Sequence, residues 1–224
     1  MGLFNKFKSL WGSTERAKKT PHSNEEIIKL CMGDICSSLV KHLSNDYYSW
    51  NEEREIKTFE CLILSKFIMT HAMQSSYKEF NKTNTTFYSN IIDHYFISLL
   101  RETFKDRFSY DKVKEHIDNR VDIYNSIVSN EPHPRMWQII AGTCTGIDYY
   151  SQENLETLVS SSTMLPELLI HSQDSLKLVI PIIEENGYVI IPCLSCGTKN
   201  KIKSHGVTSK PICGKCQSVF STWN

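Results

Sequence analysis

Long apolar runs are missing from this 224-residue chain. The run from Leu178 to Ile183 is six residues and contains Pro181. A membrane-spanning helix needs roughly 20 apolar residues, so none is expected. The first residues carry no long apolar stretch followed by a small-residue cleavage site, which argues against a secretory signal. Lys6 stands where a myristoylation signal after Gly2 requires Ser or Thr. A Gly-rich phosphate loop, a nucleophile elbow and a zinc-protease helix are also lacking. No internal repeat is found. The expectation is a non-enzymatic protein of the cytosol.

The net charge is zero, and that figure hides a segregation. Residues 1–24 carry a net of +4, from Lys6, Lys8, Arg16, Lys18 and Lys19 against Glu15. From Asn186 onward there are five lysines and no acidic side chain. The middle of the chain is therefore acidic, with a net of −9. Hydrophobic residues at 40% and charged residues at 22% are ordinary for a globular protein.

Leu3, Phe4, Phe7, Leu10 and Trp11 fall at helical spacing with Lys6 and Lys8 between them. Residues 1–11 thus suit either peripheral contact with an anionic membrane surface or docking on protein. Gly12 to Pro21 reads as a linker, so 1–22 is set apart as an amphipathic segment and its tether. Ser23 with Glu26 makes a capping box before the stripe Cys31, Ile35, Leu39 and Leu43. Ser49 with Glu52 starts a second helix through Phe59, Leu62, Ile63, Phe67 and Met73 towards Tyr77. A third, from about Thr85 to Lys105, turns Ile91, Tyr95, Leu99 and Leu100 inward. Ser109 caps a fourth, with Val113, Ile117, Val121, Tyr124 and Val128 as its stripe. Prolines in Glu131 to Arg135 break the chain before a fifth, with Trp137, Ile140, Cys144 and Ile147. Residues 152–185 read as two further pieces, interrupted near Pro166 and kinked near Pro181. Short loops between long amphipathic helices predict antiparallel neighbours in one bundle, residues 23–185.

Cys193-Leu-Ser-Cys196 and Cys213-Gly-Lys-Cys216 are two C-x2-C pairs with 16 residues between them. Four thiolates in this pattern suit one structural zinc ion in tetrahedral coordination. Val189 to Pro192 is the expected entering strand, Ser218 to Thr222 the closing one, with Gly197 and Gly214 supplying permissive backbone at the knuckles. Residues 187–224 are therefore predicted to be a zinc ribbon, which makes the fold an all-α helical bundle with a small C-terminal β zinc ribbon. Such a short segment depends on its metal for roughly 10–16 kcal/mol of folding energy. Paired cysteines outside a disulfide framework also favour a reducing compartment.

On Cys193, Cys196, Asn200 with Lys201, and Cys213-Gly214-Lys215-Cys216, the segment resembles the N-terminal zinc ribbon of the second type of bacterial thioredoxin. The resemblance covers about 30 of the 224 residues. It implies the ribbon fold and the four ligands, nothing more; the expected source is bacterial. It does not imply thioredoxin activity, because none of Trp11, Trp50, Trp137 or Trp223 opens a Trp-Cys-Gly-Pro-Cys motif.

Other chemistries lack the residues they require. A rubrerythrin-like di-iron bundle needs Glu-x-x-His pairs. The chain offers only Glu167 with His171 and Glu60 with His71 at looser spacing. Arg16 and His22 match the spacing of HEPN-type ribonucleases, but Pro21 between them excludes the helix face that chemistry requires. His94 and His116 have no partner at motif spacing and read as structural histidines. Cys31, Cys36, Cys61 and Cys144 read as small buried hydrophobes. Lys199, Lys201, Lys203, Lys210 and Lys215 make the ribbon basic, but the charge of a zinc tetrathiolate and the terminal carboxylate reduces their +5 to +2. Protein is the first expected partner, through Leu194, Val207, Ile212 and Trp223, and the function an interaction or adaptor module. Nucleic acid is the alternative, with Phe220 and Trp223 as candidate stacking groups. A redox-sensitive zinc switch is the third reading.

Overall fold

The four-residue spacing of Cys31, Ile35 and Leu39 becomes the buried face of helix α1, Asn24–Leu43. The computed structural model describes residues 24–43, 53–76, 85–105, 110–146, 155–204 and 210–223. The helices that follow are α2 (Glu53–Ser76), α3 (Thr85–Phe104), α4 (Tyr110–Asn130), α5 (Arg135–Thr145) and α6 (Leu155–Asn186). A two-stranded antiparallel sheet, β1 (Tyr188–Pro192) and β2 (Lys199–Lys203), comes last. The described chain is thus mostly helical, with a small sheet near its C-terminal end. Among the described residues no helix is long and apolar enough to cross a membrane. Residues 1–22, the start signals Ser23, Ser49 and Ser109, and Tyr77, Ile147 and Val207 lie outside the described residues.

Helix α2 is central. It packs against α1, α3, α4, α5 and α6, and its Phe59, Leu62, Ile63, Phe67 and Met73 are all buried. The break at 131–134 separates α4 from α5 where the prolines lie. The predicted interruption at Pro166 does not occur: α6 runs unbroken through Pro166 and Pro181. Each internal proline costs about 3 kcal/mol. Against that, α6 buries Leu165, Leu176, Val179, Ile180 and Ile183 on α1, α2 and α5, at about 1.5–3 kcal/mol per side chain. Tertiary burial outweighs the local preference for a break, and the ring of Pro181 faces solvent.

One buried carboxylate is held by groups distant in sequence. Glu60 is only 6% exposed, and its Oε1 lies 2.7 Å from His116 Nε2 while Oε2 lies 3.1 Å from Arg120 Nε. The His116 ring stacks on Phe59 at 5.8 Å. This explains His116 as a structural group and takes Glu60 away from His71, whose ring stacks on Phe67. Asp34 on α1 has a different environment. Burial pushes its carboxyl up to about 6, and it has no cation partner among the described residues. A raised acid is most compatible with folding below its unfolded value near 3.8, and that advantage is lost as pH rises through about 6. Asp34→Asn is therefore expected to stabilise the protein by about 1 kcal/mol at pH 7.5, after discounting for its partial exposure, and to have little effect at pH 4. Urea titrations of the two proteins at both pH values check this.

Candidate metal centre

Gly187 ends α6 in the left-handed region (φ 69°), where its N–H donates to Ile183 O at 2.9 Å. No further linker follows, and β1 starts at the next residue. Its alternation turns Val189 and Ile191 inward, matched on β2 by Ile202. The strands pair Tyr188 with Lys203, Ile190 with Lys201, and Pro192 with Lys199.

Both cysteine pairs sit in the same hydrogen-bonded loop. In the first, Cys193 N donates to Thr198 O at 2.8 Å and Gly197 N to Cys193 O at 2.8 Å. In the second, Cys213 N donates to Ser218 O at 2.9 Å and Gln217 N to Cys213 O at 3.0 Å. The left-handed position follows the second cysteine of each pair: Gly197 at φ 70° and Gln217 at φ 62°. The glycine expected to give the second knuckle its freedom, Gly214, does not have a positive φ. Its N–H is instead received by Asn200 Oδ1 at 3.0 Å. Asn200 Nδ2 donates to Thr198 O at 2.6 Å and reaches Cys213 Sγ at 3.6 Å, so one side chain on β2 ties the two loops together.

The loops bring Cys193, Cys196, Cys213 and Cys216 together, with all four sulfurs within 4.8 Å of one another. Cys193 Sγ is 3.6 Å from Cys216 Sγ, and Cys196 Sγ is 3.6 Å from Cys213 Sγ. A disulfide would require about 2.05 Å. A tetrahedron with metal–sulfur bonds of about 2.3 Å has edges of about 3.8 Å, which fits. Backbone N–H groups of Cys216 and Lys215 lower the Cys213 thiol to about 6, and Ser218 lowers Cys216. Burial raises Cys193. The geometry can hold one metal ion. Among the described residues no other group of three or more His, Cys, Asp or Glu ligands converges in this way.

The remaining cysteines behave as expected of core residues. Cys31, Cys61 and Cys144 are buried and Cys36 is half-buried. Burial pushes Cys31 up to about 11 and Cys36 up to about 12, so both stay protonated thiols.

Expected strand 218–222 is reduced to a single bridge, Ile212 with Val219. Phe220 N still donates to Pro211 O, but the chain then turns, and Trp223 N bonds Phe220 O. The turn delivers Phe220 and Trp223 to α3, where they are 5% and 3% exposed. Trp223 lies 6.2 Å from the rings of Phe87 and His94, and Phe220 lies 5.7 Å from His94. Neither aromatic is available to stack bases or to anchor a partner, and Leu194 is half-buried against the core.

Two α3 residues that sequence reading did not single out for this role grip the first knuckle. His94 Nε2 donates to Pro192 O at 2.9 Å, and Arg101 donates to Leu194 O at 2.8 Å. They are seven residues apart, two turns along one face, and their acceptors flank Cys193. Burial lowers His94 to about 4, so the imidazole that makes this bond is neutral near pH 7. The chain matches no known protein family, no curated protein and no solved structure.

Proposed function

We propose that the chain is a non-enzymatic, zinc-stabilised interaction module of the adaptor kind. One structural zinc ion is held by Cys193, Cys196, Cys213 and Cys216. The convergence of four sulfurs at tetrahedral spacing carries this reading. Two further observations support it. The four ligands leave no open coordination position for substrate, which is the mark of a structural rather than a catalytic site. The ribbon resemblance to the second type of bacterial thioredoxin implies the same four ligands and the same metal.

The ribbon is clamped to the bundle and leaves an apolar edge outside. Ile212 and Val219, paired across their bridge, are 56% and 53% exposed. In this reading they take the role assigned to Trp223 and meet a protein partner. Buried aliphatic and aromatic anchors of this kind carry interface energy.

Metal analysis of protein purified without added zinc is expected to give close to one equivalent of zinc and no visible absorption. Iron with a rubredoxin-like spectrum, or a metal-free protein with disulfide-bonded ribbon cysteines, would overturn the assignment.

A further inference from the structure

The face of the hairpin turned away from the bundle is built as two parallel rows. Along β1, Tyr188, Ile190 and Pro192 are half-exposed, while Val189 and Ile191 between them are buried. Along β2, Lys199, Lys201 and Lys203 are exposed, with Ile202 buried and Asn200 engaged at the knuckles. The register sets each lysine directly beside one member of the apolar row. Alternate residues of a strand stand about 6.7 Å apart, so the three lysines leave the backbone of β2 at that interval. The middle one is fixed in place, with Lys201 Nζ 3.5 Å from the centre of the Tyr188 ring. Among the described residues none of the three forms an ion pair. No acidic side chain occurs from Asn186 onward to neutralise them.

We infer that this face binds single-stranded nucleic acid along the hairpin. A single strand carries its charge on one edge, one phosphate per nucleotide, and its unpaired bases on the other. Those two edges correspond to the lysine row and to the apolar row with its tyrosine. A duplex keeps its bases stacked inside, so the apolar row would meet nothing. Three lysines set the contact at about three phosphates. The inference rests on the proposed metal site only for the rigidity of the hairpin.

The test uses the full chain with its metal content measured. A fluorescently labelled oligothymidylate of about ten nucleotides is titrated at low and moderate salt, beside a duplex of the same length and a glutamate-rich peptide. Three phosphate contacts predict a Kd of about 1–100 µM at low salt and a slope of log K against log salt near −2. The triple change Lys199→Gln, Lys201→Gln, Lys203→Gln is expected to weaken binding about tenfold or more, whereas Lys112→Gln on exposed α4 leaves it unchanged. Tyr188→Leu keeps a strand-forming side chain and should lose about fivefold or more, the share of a stacked base. Circular dichroism and zinc content establish that each variant is folded.

No binding at low salt, equal affinity for the duplex, tighter binding of the acidic peptide, or an unaffected triple variant would each overturn the inference. The two proposals fail separately. A sample with one zinc and no affinity for the single strand refutes only the binding face, and a sample without zinc refutes the metal assignment.

Discussion

Cys213→Ser is expected to yield a protein without bound metal, with residues 187–223 unfolded and most of the helical signal retained. A serine hydroxyl is a poor replacement for a thiolate at a zinc site, and three sulfurs do not close the tetrahedron. Without roughly 10–16 kcal/mol from the metal, a segment this short cannot bury enough surface to stay folded. The loss extends to α3, because Phe220 and Trp223 leave Phe87 and His94 exposed. Each aromatic buries roughly 150–250 Å², and together they cost the bundle on the order of 5 kcal/mol. The stripes of α1, α2, α3 and α6 bury one another independently of the ribbon, so the helices persist at lower stability. Metal analysis, far-ultraviolet circular dichroism and a thermal melt on one sample read all three effects. Collapse of the helical signal as well would mean that 23–185 is not a unit separable from 187–224.

Trp223→Ala is expected to cost about 3–5 kcal/mol while leaving the metal content unchanged. In a chain of this size that lowers the melting temperature by about 10 °C. The side chain packs on Phe87, His94 and Phe220, so the cost is that of an aromatic cavity between the C-terminal segment and the bundle. Trp223→Phe provides the contrast. Among the described residues the buried indole Nε1 has no hydrogen-bond partner, and phenylalanine removes that donor along with part of the packing. Its melting temperature should fall much less. Equal losses from the two substitutions, or loss of zinc from either, would refute this account of the interface.

The helical part was largely legible because its apolar residues recur with the helical period, and Cys31, Ile35, Leu39, Ile91, Tyr95 and Ile140 are buried as that period requires. The four sulfurs were legible for a different reason: two cysteines three residues apart leave few geometries open. Pro166 misled because a local donor count says nothing about the apolar face that α6 buries elsewhere. Gln217 was invisible because a left-handed glutamine has no compositional signature, unlike Gly197. The closing strand failed because one bridge suffices before the chain turns to place Trp223 on α3. His94 and Arg101 carried no signal, since their acceptors, Pro192 and Leu194, lie more than 90 residues away.

Gly187 is the only residue between α6 and β1. Helix α6 has 32 residues, so it runs about 48 Å and ends on the hairpin without slack. The hairpin is also held by α3, through His94 and Arg101. A flexible insert at Gly187 would leave the contacts with α1 and α3 as the hairpin's hold on the bundle.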